Sequence, residues 1–61
     1  MQQRANKISE GTIIKILPPD EDQGKECIKR KGRFFEVIEG YETFNEILLS
    51  GNALVEVIGN D

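Results

Sequence analysis

Three stretches of this chain alternate with a period of two, and in each one phase is wholly apolar while the other carries a charge at its centre. In residues 13–17 the clean phase is Ile14 and Ile16, against Ile13, Lys15 and Leu17. In residues 34–38 it is Phe35 and Val37, against Phe34, Glu36 and Ile38. In the last stretch it is Ala53, Val55 and Val57, against Leu54, Glu56 and Ile58. Successive strand residues point to opposite faces, so this pattern demands a sheet with one buried side. The clean phases are expected inward. The interrupted phases keep apolar residues around each charge, which suits a small barrel with a partly covered outer surface.

Punctuation supports the same division. Gly11 precedes the first strand and Pro18-Pro19 end it, because proline donates nothing to a ladder. Asp20-Glu21-Asp22-Gln23-Gly24 reads as a solvated acidic loop without the spacing of a calcium-binding loop. Glu26–Arg30 and Arg33–Ile38 then form a candidate hairpin about Lys31-Gly32. Lysine is a poor occupant of a positive-φ position, so a three-residue loop competes with a two-residue turn. The two-residue turn pairs Ile28 with Phe35; the three-residue loop pairs Ile28 with Phe34.

Residues 40–51 admit two readings. Tyr41, Phe44 and Leu48 stand at helical spacing, Thr43 and Glu46 match a capping box, and Gly51 suits a helix end. This favours a short helix or 3₁₀ turn before the last strand, with Phe44 in the core. A strand at Tyr41–Asn45 followed by one helical turn is the alternative. Residues 1–10 are polar and are expected to be a loosely attached arm. The organisation is therefore an arm at 1–9 and one small β domain at 10–61.

With 61 residues the core must be thin, and a partner or self-association is a common remedy. There is no histidine, and no run of about 18 apolar residues that could span a membrane as a helix. Cys27 is single, so no intramolecular disulfide is possible, and it is expected as a small hydrophobe in a strand. The start shows no signal-peptide pattern, and a cytoplasmic address is the default. Gly24-Lys25 is followed by Glu26, which excludes a P-loop. No catalytic constellation, metal site, cofactor site or small-molecule substrate is evident, so a non-catalytic binding module is expected.

The net charge of −3 is unevenly distributed. Residues 25–33 hold Lys25, Lys29, Arg30, Lys31 and Arg33 against Glu26 alone. Residues 34–61 hold six acids and no base. The basic hairpin could neutralise phosphates, with Phe34 as the ring on which a base stacks, since Phe35 belongs to the inward phase. RNA or single-stranded nucleic acid is the partner this implies, through Lys25, Lys29, Arg30, Lys31, Arg33 and Phe34. The other reading is a protein–protein adaptor or small homo-oligomer. It would use the apolar outer faces and the acidic second half, with Tyr41, Glu42 and Glu46 at the contact and Glu39 and Asp61 adding to a negative face.

The order strand, loop, hairpin, helical turn, strand resembles an SH3-like barrel of the KOW type. The resemblance lies in Glu10-Gly11-Thr12-Ile13-Ile14-Lys15-Ile16, in Gly24-Lys25-Glu26 after an acidic loop, and in Val37-Ile38-Glu39-Gly40. It implies about five short strands with one helical turn before the last, and adds to the nucleic-acid reading. Gly11-Thr12-Ile13-Ile14 and Leu48-Leu49-Ser50-Gly51-Asn52-Ala53-Leu54 are instead similar to OB-type barrels such as the cold-shock proteins, which implies a truncated OB-like barrel. Lys31-Gly32-Arg33-Phe34-Phe35 loosely resembles the RNA-contact motif of such sheets. A swapped or open β-sheet dimer is a third arrangement.

Overall fold

The computed structural model describes residues 1–60, and Asp61 lies outside them. The chain is mostly β. Its strands are β1 (Gln2–Arg4), β2 (Thr12–Ile16), β3 (Glu26–Arg30), β4 (Arg33–Ile38), β5 (Tyr41–Ile47) and β6 (Leu54–Asn60). They form one antiparallel sheet in the order β1-β6-β2-β3-β4-β5. β1 and β5 are its two edges, and the sheet does not close between them.

Two tight turns generate the meander from β3 to β5. Lys31 and Gly32 both have positive φ, 53° and 76°, as do Glu39 and Gly40, 52° and 84°. Two central residues in that region make the hairpin turn whose twist matches its flanking strands. The first turn is therefore the two-residue form, and Ile28 pairs with Phe35. Lysine is tolerated there because Glu10 reaches across. Its carboxylate accepts the Lys31 N–H and, at 2.9 Å, the Gly32 N–H. The second turn carries the chain directly into β5. The helical spacing of Tyr41, Phe44 and Leu48 is thus not realised, and the one 3₁₀ turn among the described residues is Ala5–Lys7, near the start.

The register decides the faces. Ile14 stands opposite Cys27, Cys27 opposite Glu36, Lys29 opposite Phe34, and Phe34 opposite Ile47. Ile14, Ile16, Cys27, Phe34, Ile47 and Val55 consequently share the core. The clean phases of β2 and β6 point inward as expected. That of β4 is reversed: Phe34 is 8% exposed, while Phe35 and Val37 lie on the outer face. Both faces of β4 offer a phenylalanine, so alternation within the strand could not decide which goes in. The inward Cys27 on β3 did. On the outer face Ile28 is buried beside its cross-strand neighbours Ile13 and Phe35.

The first residues are not a loose arm. β1 pairs with β6 from Gln2 to Arg4. Ala5 N–H then donates to Ala53 O at 2.8 Å and Asn6 N–H to Gly51 O at 3.0 Å. These contacts lay the 3₁₀ turn over the open side of the sheet, where Ala5 and Ile8 complete the core. A six-stranded sheet this small has few inward positions, and the N-terminal segment supplies two of them.

Candidate functional site

The basic hairpin does not present a free cationic surface. Lys29 lies on the core phase of β3, and its ammonium donates to Ile8 O at 2.8 Å, 5.7 Å from the centre of the Phe34 ring. It ties the N-terminal segment to the sheet. Phe34 beneath it is core, and so is not the exposed stacking ring expected from the sequence. The reason is the β4 phase set by Cys27. Lys25 pairs with Asp22 at 3.0 Å, and the Asp22 carboxylate raises its pKa. Arg30 Nε and Nη2 meet the Glu42 carboxylate at 3.2–3.3 Å. Arg33 Nη1 lies 3.8 Å from Glu46. Lys31 is exposed at the turn, and its ammonium makes no ion pair among the described residues.

The structure thus brings Arg30 and Arg33 together with Glu42 and Glu46, which the sequence places in two alternative contacts. The register explains it. β4 lies between β3 and β5, so Glu46 stands beside Phe35 and Glu42 beside Val37 on the outer face. Acids of β5 and bases of the β3–β4 hairpin then interleave, and this end of the sheet is close to neutral.

What this edge does expose is apolar. Phe44 is 100% exposed, Leu48 85% and Tyr41 77%, all on or beside edge strand β5. Phe44 is therefore not in the core. The β4–β5 ladder shifts between Phe35 and Val37, so Thr43, Phe44 and Asn45 together face the single residue Glu36. Thr43 Oγ1 donates to Glu36 O at 2.8 Å, and Asn45 Nδ2 to Glu36 Oε1 at 2.7 Å. These bonds secure the bulge and leave Phe44 at its crest. Bulges re-aim side chains and interrupt edge pairing in this way. Beside the ring lies a shallow hollow of about 290 Å³, lined by Arg30, Lys31, Phe35, Glu42 and Thr43 with Phe44 as one wall.

Phe35 and Phe44 are the residues that sequence reasoning missed. For Phe44 the signal available was Glu39-Gly40, a second turn pair eight residues after Lys31-Gly32. It predicts a third meander strand in place of a helix. Cys27 offers no chemistry at this surface. It is wholly buried, and burial, aided by Glu36 and Asp22, pushes its thiol up to about 11. Among the described residues no His, Cys, Asp or Glu side chains form a group that could hold a metal ion. No helix among them is long and apolar enough to cross a membrane. No protein-family model, curated protein or solved structure matches the chain.

Proposed function

We propose that this chain is a non-catalytic binding module that docks on protein through β5 and the outer face beside it. The observation that carries this reading is Phe44, fully exposed on a hydrogen-bonded bulge with a part-apolar hollow at its foot. A large ring held in water stabilises nothing within the monomer. Aromatic anchors ringed by charged pairs are what protein contacts use. Tyr41, Glu42 and Glu46 belong to the same strand. The return of β6 beside β2 supports an SH3-like reading of the sheet.

RNA contact is the second reading, favoured by the Lys31 ammonium, which makes no ion pair among the described residues and lines the Phe35–Phe44 hollow. Its weakness is electrostatic, because Arg30 and Arg33 each face a carboxylate. The test is a photo-crosslinking phenylalanine analogue at position 44, with one at Glu21 in the acidic loop as control, in the cells that make the protein. A discrete protein adduct from position 44 that is lost when Tyr41 and Glu42 become alanine supports protein docking. A nucleic-acid adduct replaces it with the second reading. Equal labelling from both positions, or none from position 44, overturns both.

A further inference from the structure

Resting on the reading of β5 as the docking strand, we propose that its partner is a second copy of this chain. Two β5 edges meet antiparallel about a two-fold axis, and Phe44 of each copy sits in the hollow beside Phe44 of the other.

The first argument is shape. A two-fold contact requires a patch that complements itself, so a projection and its matching recess must lie side by side on one surface. Phe44 and the hollow walled by Phe35 and Thr43 are such a pair. At about 290 Å³ the recess is large enough for a phenyl ring. A knob and a recess on distant surfaces would instead build an open chain of copies.

Charge is the second argument. An acidic strand should repel its own copy, yet each acid of β5 carries its own counter-ion. Arg30 holds Glu42 at 3.2 Å and Arg33 holds Glu46 at 3.8 Å. The strand reaches the axis neutralised, with acids and guanidiniums interleaved. Outward from Phe44 the sequence also runs alike in both directions: Thr43 then Glu42 one way, Asn45 then Glu46 the other. Antiparallel copies centred on Phe44 therefore set Thr43 against Asn45 and Glu42 against Glu46, and this acid pair is tolerable only because each carboxylate keeps its own guanidinium.

Area sets the strength. Aromatic side chains bury roughly 150–250 Å² each. Of the exposed apolar residues only Phe44 lines the hollow, while Tyr41 stands opposite Ile38 on the other face, so the contact buries under about 1,000 Å² in all, the range of weak, transient association. The bulge at Thr43–Asn45 keeps the edge from extending as a continuous ladder, so side chains carry the contact. A weak, reversible dimer is the consequence.

Sedimentation equilibrium of the intact chain, from low micromolar to millimolar concentration, tests this. The expected mass rises from 6.9 kDa to a plateau at twice that value. Phe44→Ala is expected to remain monomeric throughout, with an unchanged NMR fingerprint away from β5. Ile58→Ala, on β6, is expected to dimerise as the parent does. A mixed sample of labelled and unlabelled chains should show contacts between Phe44 of one copy and Phe35 of the other. A parent that stays monomeric at millimolar concentration, a Phe44→Ala variant that still dimerises, or a mass that climbs past two copies each overturns the proposal. If the parent stays monomeric while crosslinking at position 44 captures a different protein, the docking strand stands and only its partner changes. If both experiments are silent, the docking reading falls with the dimer.

Discussion

The Glu10 carboxylate accepts the Gly32 N–H at 2.9 Å, across 22 positions of sequence, and accepts the neighbouring Lys31 N–H as well. One side chain thus holds the β3–β4 turn from outside the hairpin. Lys31 occupies a left-handed conformation that costs an L-residue roughly 1–2 kcal/mol. Asparagine tolerates that conformation better. Lys31→Asn is therefore expected to stabilise the chain by about 0.5–1 kcal/mol, read as a higher urea midpoint. A lower midpoint would show that the lysine side chain contributes more than its backbone strain costs.

The same contact gives stability a pH dependence of known sign. The Gly32 N–H, then the Lys31 N–H and the charges of Lys29 and Arg30, hold the Glu10 carboxyl below its ordinary value of 4.5. A carboxyl more acidic in the folded chain than in the unfolded one stabilises the fold above its unfolded pKa. That contribution is lost as pH falls through the folded value. Glu10→Gln should have a lower urea midpoint than the parent at neutral pH, and the gap should close on acidification below the carboxylate range. A gap independent of pH would assign the effect to shape and not to charge.

Which parts of this fold were legible follows from what decides each one. β2 and β6 were, because each has only one face free of charge. The β3–β4 hairpin was, because Lys31-Gly32 breaks two apolar runs. The phase of β4 was not, since Phe34 and Phe35 compete for the core and the choice rests on Cys27 in another strand. β5 was misread because Tyr41, Phe44 and Leu48 imitate a helical stripe. The role of Ala5 and Ile8 needs the sheet they cover. At the site, Tyr41, Glu42 and Glu46 could be named from sequence, but their pairing with Arg30 and Arg33 required the register.

The two phenylalanines should respond oppositely to truncation. Phe34 is 8% exposed between Lys29 and Ile47, and Phe34→Ala should cost about 3–5 kcal/mol. In a domain this small that loss leaves little folded protein, so Phe34→Leu serves as the milder probe. Phe44→Ala, at a site fully in water, should change monomer stability by less than about 0.5 kcal/mol. Chemical denaturation at low concentration compares them. Equal costs would place Phe44 in the fold.

A similar contrast separates a loose N-terminal arm from one that completes the core. Ile8 is buried against the sheet, and its carbonyl accepts the Lys29 ammonium. Ile8→Ala is expected to cost about 2–4 kcal/mol and to speed amide exchange in β6, which pairs with β1. A frayed arm would tolerate the change with no measurable effect.

Cys27 supplies a readout of global opening. It is wholly buried between Ile14 and Glu36, and burial raises its thiol to about 11. Thiolate is the reactive form, so both access and ionisation suppress reaction in the folded chain. Modification by an aromatic disulfide reagent should therefore be slow in the native protein. It should accelerate with denaturant along the unfolding transition seen by circular dichroism. A hydroxyl at this wholly buried position must be desolvated, so Cys27→Ser should be less stable than Cys27→Ala. Rapid native labelling would mean that β3 opens locally, and the inward register that places Phe34 in the core would lose its support.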